Sequence, residues 1–277
     1  MVCDSMARCM PTEPSIAAIA YARDVCSVLS DYVCPLYAKH HGQGHLLGTG
    51  VPLRFAGASV VITASHVLND SGDRCIYTLG DDDLLNLSGE RRAFEHRKTS
   101  TIPTGVEPTI DVDLALIVLE PSEAAELSRR FSFTHYKDLA EAQFGDQTSL
   151  YVLVGYPFSK NKPTGASGNE VKTSALFCLS RQVGSVANSQ ETGKHSKVHF
   201  AFPASPKGTK DMTGTLSTQP KPQGMSGGGV WRIGLDGAVS TPLPRLVGIG
   251  IEYDRHNNRF ICTRIQHVQP MVADLFA

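Results

Sequence analysis

Pro222-Gln223-Gly224-Met225-Ser226-Gly227-Gly228-Gly229-Val230 sets one serine among four glycines, immediately before an apolar run that reads as a strand. A serine hydroxyl attacks only when a base takes its proton, and the oxyanion it creates must then be held by backbone N–H groups. Glycine serves that second need, because it opens conformations closed to other residues and brings bare backbone against a substrate. Ser226 is therefore a candidate nucleophile. The same stretch also fits a flexible turn between strands, and the motif alone does not choose between the two.

The choice depends on what the rest of the chain supplies. Val60-Val61-Ile62-Thr63-Ala64-Ser65-His66 carries a histidine directly after a buried-looking strand, so its ring is expected to emerge where the sheet ends, at a strand-to-turn junction. Among ten histidines it is the one in such a context. The third group required is a carboxylate that stays ionised and fixes the histidine tautomer. Asp113 leads into Leu114-Ala115-Leu116-Ile117-Val118-Leu119, and a carboxylate at the lip of a buried strand is costly without a partner. Asp111 is its rival, sharing a strand face by two-residue alternation. A strand-end cap is the plain structural alternative for both.

Strand signals run outward from these residues. Tyr32–Ala38, Leu46–Phe55, Ala58–Thr63, Arg74–Leu79, Ala93–Lys98 and Val112–Leu119 are rich in β-branched and aromatic residues, separated by glycine turns. Residues 121–145 are more helical. A second set follows in Leu150–Gly155, Thr173–Ser180, Lys197–Phe202, Gly229–Ile233, Arg245–Tyr253 and Arg259–Ile265, broken by long loops over 156–172 and 203–223. Helical spacing marks Pro14–Ser30 and His267–Phe276. The plan is all-β: two antiparallel β-barrels of about six strands each, with an N-terminal and a C-terminal helix. Its units are an extension over 1–31, a first barrel over 32–120, a connector over 121–147, a second barrel over 148–266 and a terminal helix over 267–277.

Composition excludes several classes. With 26 basic and 27 acidic residues in 277, the formal charge is -1, and no global basic field draws in nucleic acid. The local pairs Arg91-Arg92 and Arg97-Lys98 read as a solvated face. Seven scattered cysteines without a Cys-x-x-Cys pair suggest reduced thiols and an intracellular, cytoplasmic setting. The cluster His40, His41 and His45 lacks a carboxylate at ligand spacing and reads as a turn, so no metal and no cofactor is expected. No apolar run reaches membrane-spanning length.

The order His, Asp, Ser on two β units resembles the chymotrypsin/trypsin-like serine protease family. Thr63-Ala64-Ser65-His66 matches its Thr-Ala-x-His motif, Asp113-Leu114-Ala115-Leu116 its Asp-Leu-Ala-Leu motif, and Gly224-Met225-Ser226-Gly227-Gly228 its Gly-x-Ser-Gly-Gly motif. The resemblance covers roughly residues 32–275, with Leu246-Val247-Gly248-Ile249 and Ile261-Cys262-Thr263-Arg264-Ile265 similar to late family strands. It implies a serine endopeptidase with His66, Asp113 and Ser226 as triad in a cleft between the barrels, and the N–H groups of Gly224 and Ser226 as oxyanion hole. It further implies a pocket near Pro220, Glu252, Tyr253 and Phe260, shallow because Tyr253 and Phe260 are bulky and so suited to small or medium side chains, with a basic preference left open by Glu252, and a polypeptide substrate pairing with Ile251–Tyr253 as an added strand.

The departures are informative. Val67 stands where secreted relatives carry a cysteine, no Ile-Val-Gly-Gly start is present, and Met225 replaces the aspartate that receives their new N-terminus. In this the chain looks more like intracellular, bacterial or viral peptidases of the type. Order at the site is expected from the loops 156–172 and 203–223, and control from a regulatory protein partner. Two other readings stay open. One is a silent pseudoprotease that binds peptides or serves as a scaffold. The other is an α/β-hydrolase using Gly224-x-Ser226-x-Gly228 as a nucleophile elbow, with Asp254 and His267.

Overall fold

The computed structural model describes residues 24–40, 43–55, 57–72, 74–80, 84–98, 109–142, 149–161, 174–180, 183–187, 195–203, 209–210, 216–217, 223–234 and 244–275. A short helix α1 (24–29) buries Val25, Cys26 and Leu29 while Val28 stays outside, the one-sided spacing that a packed helix requires. The remainder of the helix expected over 14–30 lies outside the described residues.

The first sheet is built from β1 (Cys34–His40), β2 (Gln43–Phe55), β3 (Ala58–Thr63), β4 (Ile76–Leu79), β5 (Leu84–Leu87), β6 (Arg91–Lys98) and β7 (Thr109–Val118). Helix α2 (Ser65–Ser71) follows β3, α3 (Pro121–Arg130) follows β7, and β8 (Thr134–His135) comes after it. The strand order is β5-β4-β1-β2-β3-β7-β6, antiparallel throughout, with β8 alongside β2 in parallel. The connector thus lends a strand to the first sheet. Glu123 in the first turn of α3 is buried; its carboxylate accepts the Ser88 N–H at 2.6 Å and the Glu120 N–H at 2.9 Å, fastening the connector to the turn before β6.

The second sheet contains β9 (Ser149–Gly155), β10 (Leu176–Ser180), β11 (Gly184–Ala187) and β12 (His195–Pro203). A separate pair β13 (Thr209–Lys210) and β14 (Leu216–Ser217) intervenes before β15 (Gly229–Gly234), β16 (Arg245–Asp254) and β17 (Arg259–Arg264). Its order is β10-β9-β15-β16-β17-β12-β11, again antiparallel, and α4 (Val268–Leu275) closes the described chain.

These are two curled antiparallel sheets in the chymotrypsin-like arrangement, as the sequence suggested, with eight and seven strands among the described residues. The expected count of about six is low because β5, β8 and β11 are short and weakly patterned. One hydrophobic cluster runs from Val51, Val60 and Leu116 across to Val152, Trp231 and Ile249, so the sheets pack on each other. A second fills the later sheet with Tyr151, Phe200, Phe202 and Val230. Each fully buried aliphatic side chain contributes about 1.5–3 kcal/mol to folding relative to leaving it exposed.

The antiparallel sheets overturn the α/β-hydrolase reading. Ser226 leads into a strand rather than a helix, and there is no parallel sheet for an elbow to cap among the described residues.

Candidate active site

His66 stands in the first turn of α2, two residues beyond Ala64, which follows the end of β3. The sequence suggested a turn here; a short helix takes its place, and both the ring and the backbone of His66 meet Asp113. Its Nδ1 lies 2.9 Å from Asp113 Oδ2, and its own backbone N–H donates to Asp113 Oδ1 at 3.1 Å. The hydroxyl of Ser65, itself buried, donates to the same Oδ1 at 2.5 Å. Three donors from two adjacent residues therefore converge on one carboxylate.

Asp113 reaches this position through an irregularity in β7. Pairing with β6 slips between Phe94 and His96, and Asp113 takes φ +42°, a left-handed conformation that costs a non-glycine residue about 1–2 kcal/mol. The slip also breaks the alternation that linked Asp111 with Asp113 in the sequence. Thr263 on β17 donates to the carbonyl of Val112 at 2.7 Å, so the second sheet braces the bulge.

The two ionisable groups reinforce each other. The hydrogen bond to Asp113 raises the pKa of His66 above its ordinary value against the opposing effect of burial, and the charges of Asp113, Asp70 and Glu252 add to the rise. Burial pushes the Asp113 carboxyl upward, but the hydrogen bonds from His66 and Ser65 and the His66 charge outweigh it and hold the group below the usual carboxylate value.

The serine loop is fixed from the first sheet by Thr49 on β2. The Thr49 N–H donates to the Ser226 carbonyl at 2.8 Å and its hydroxyl to the Gly224 carbonyl at 2.9 Å. The hydroxyl also accepts the Tyr156 N–H at 2.9 Å, while the Thr49 carbonyl accepts the Thr63 hydroxyl at 2.7 Å. Gly224 and Gly227 have φ +92° and +86°, and a Cβ on Gly227 would fall 1.8 Å from the Thr49 carbonyl, so glycine is required at both. Met225 is buried in the core of the second sheet, an apolar side chain in the position before the serine.

His66, Asp113 and Ser226 line one cleft of about 370 Å³, together with Gln223, Met225, Gly250, Ile251, Glu252, Tyr253, Arg255 and Phe260. Among the described residues no hydrogen bond joins His66 to Ser226, and none takes the N–H of Gly224 or Ser226. Ile251, Glu252, Tyr253 and Phe260, expected in the pocket, are all present. The Tyr253 and Phe260 rings lie 5.1 Å apart and tilted by 53°. Pro220 lies outside the described residues. The Asp254 carboxylate is occupied by Asn257 and Arg259, with the Asn257 hydrogen bonds first in holding it down to about 2; it closes the β16–β17 hairpin.

Several contributors escaped the sequence reading. Thr49 carries a weak signal, a polar residue between Gly48 and Gly50 in the otherwise apolar stretch Leu46–Leu53. Ser65 and Thr263 carry none, because their partners Asp113 and Val112 are distant in sequence, and Gln223 and Arg255 carry none because only the fold brings them to the cleft. Among the described residues no group of three metal-ligating side chains is assembled.

No family model matches the chain, and no curated protein sequence matches it. Solved structures do. The protease of tobacco vein mottling virus is 11% identical over 87% of this chain and 80% of that one, with a TM-score of 0.44. The MamO protease domain from Magnetospirillum magneticum is 12% identical over 88% and 97%, with a TM-score of 0.45. The serine protease domain of the Sesbania mosaic virus polyprotein is 13% identical over 84% and 89%, with a TM-score of 0.41. These structural neighbours are proteases of the chymotrypsin-like fold, similar to this chain at low sequence identity.

Proposed function

We propose that the chain is a serine endopeptidase working through an acyl-enzyme, with Ser226 as nucleophile, His66 as base and Asp113 as the orienting carboxylate. The observation that carries this reading is the coupled His66–Asp113 pair facing the same cleft as Ser226. As Ser226 Oγ bonds to the scissile carbonyl carbon, its proton passes to His66 Nε2, and the oxyanion is received by the N–H groups of Gly224 and Ser226. His66 then hands that proton to the leaving amine. Water, deprotonated by His66, attacks the ester and releases Ser226. Asp113 keeps the Nδ1 proton in place throughout, which leaves Nε2 free to accept.

The polypeptide substrate lies along Ile251–Tyr253. Opposite its β17 partners this part of β16 is unpaired with β15, whose register ends at Ile249, so an extended peptide can add there as a strand. Tyr253 and Phe260 favour a small or medium side chain before the scissile bond. The protein is thus trypsin-like in its catalytic groups, while Glu252 in the same cleft leaves a basic side chain as the alternative there. Burial pushes the thiols of Cys26, Cys34 and Cys178 up to about 12, so they stay protonated and inert. The setting proposed is cytoplasmic, as the scattered cysteines without a Cys-x-x-Cys pair suggest, and a regulatory partner would restrain the activity there.

A second reading is a silent peptide-binding module that keeps the cleft without the chemistry. Reaction with a fluorophosphonate probe separates the two. Labelling of the wild type and not of Ser226→Ala supports the peptidase; equal labelling of both, or of neither, removes it.

A further inference from the structure

Four successive carbonyls around the serine are all engaged. Gln223 O accepts the Phe158 N–H at 2.5 Å, Gly224 O the Thr49 hydroxyl at 2.9 Å, Met225 O the Gly228 N–H at 2.9 Å, and Ser226 O the Thr49 N–H at 2.8 Å. In a trans peptide the C=O and the following N–H point in opposite directions. Binding the Gln223 carbonyl on one side therefore turns the Gly224 N–H to the other. The Met225 carbonyl does the same for the Ser226 N–H. Turning the 223–224 peptide over would break the bond from Phe158.

The turn that carries Phe158 is itself held by a buried side chain. Asn161 is 1% exposed; its Nδ2 donates to Pro157 O at 2.8 Å and to Ser174 O at 3.2 Å, and its Oδ1 accepts the Ser174 N–H at 2.7 Å. Its backbone N–H closes the turn on Phe158 O at 3.3 Å. Asn161 thus uses both side-chain donors and its acceptor to bind turn 157–161 to the chain just before β10. The turn abuts the glycine directly, since a Cβ on Gly224 would meet Tyr156 O at 2.6 Å and the Phe158 nitrogen at 2.9 Å.

We propose that Asn161 is a positioning residue for the oxyanion hole, acting through turn 157–161 and the Phe158 N–H on the Gln223 carbonyl. This rests on the reading of Ser226 as nucleophile, and it names the part of the 156–172 loop that orders the site. Asn161 touches no reacting atom. Its loss leaves substrate contacts and the His66–Asp113 pair in place and lets the Gly224 N–H leave the position where negative charge develops.

The test compares wild type, Asn161→Ala and Asn161→Asp in peptide hydrolysis, with Phe158 amide hydrogen exchange followed by NMR. Asn161→Ala is expected to lower kcat by about 10–100-fold, with KM within about twofold and an unchanged pH midpoint. The Phe158 amide loses its protection while the rest of the second sheet keeps its own. Asn161→Asp, which keeps the acceptor for Ser174 and loses both donors, falls between. Full kcat in Asn161→Ala, a loss confined to KM, or retained Phe158 protection overturns the proposal. Should Asn161→Ala not fold, Asn161→Asp decides by the same readouts. If wild-type Ser226 resists the fluorophosphonate, the nucleophile reading and the catalytic role of Asn161 fail together, while the exchange measurement still reports whether Asn161 holds the turn.

Discussion

Asp113 binds His66 twice, through the ring Nδ1 at 2.9 Å and through the backbone N–H at 3.1 Å, so one carboxylate fixes both the rotation of the imidazole and the start of the helix that carries it. Because the ring contact raises the His66 pKa, kcat/KM should fall with decreasing pH through a midpoint above the ordinary histidine value of about 6.5. A rate flat through that region counts against His66 as base. Asp113→Asn removes the main cause of the rise; its acid limb should move to lower pH and its kcat fall by about 10³–10⁴-fold.

The same pair makes a prediction for stability. His66 has a raised folded pKa, so its contribution is full below its unfolded value of about 6.5 and is lost as pH rises through the folded one. Asp113 has a lowered folded pKa, so its contribution is present above about 3.9 and is lost as pH falls through the folded value. The difference in Tm between wild type and Asp113→Ala should therefore be larger near pH 6 than near pH 9. A gap that widens with rising pH would contradict the coupling.

Gly227→Ala tests the close contact beneath the serine. The added carbon would fall 1.8 Å from the Thr49 carbonyl at a φ of +86°, and a loss of about 3 kcal/mol or more is expected from chemical denaturation. Stability within about 0.5 kcal/mol of wild type would show that the loop relaxes freely.

Tyr253 narrows the cleft beside Phe260. Tyr253→Ala should raise kcat/KM for substrates with a large apolar residue before the scissile bond by about tenfold relative to those with alanine there. Cleavage profiling of a peptide library measures the change, and an unaltered profile would place the pocket elsewhere.

Much of this was legible in the chain. His66, Asp113 and Ser226 sit at the ends of strongly apolar segments, and burial of those segments forces them into strands whose ends lie together at the edge of a core. The strands β3 and β7 followed from the same patterning, and their pairing came from the fold. The short strands β5, β8 and β11 did not, because a strand of two to four residues carries too little alternation to stand out from a loop. The preference for Asp113 over Asp111 was argued from position alone; the slip in β7 that turns Asp113 toward His66 is a tertiary feature.

The sequence by itself determined the all-β arrangement and the chemical types available at the serine, because local patterning and glycine content act over a few residues. Only the tertiary structure decided how the serine loop is held. Thr49 lies 175 residues from Gly224, and Phe158, on the turn that Asn161 holds, meets that loop only when the strands are paired. Hydrogen bonds between distant segments are directional and need both partners placed within a few tenths of an ångström, and no run of residues encodes that placement. The glycines around Ser226 permit the conformation of the serine loop; the hydrogen bonds to its carbonyls from Thr49, Phe158 and Gly228 select it.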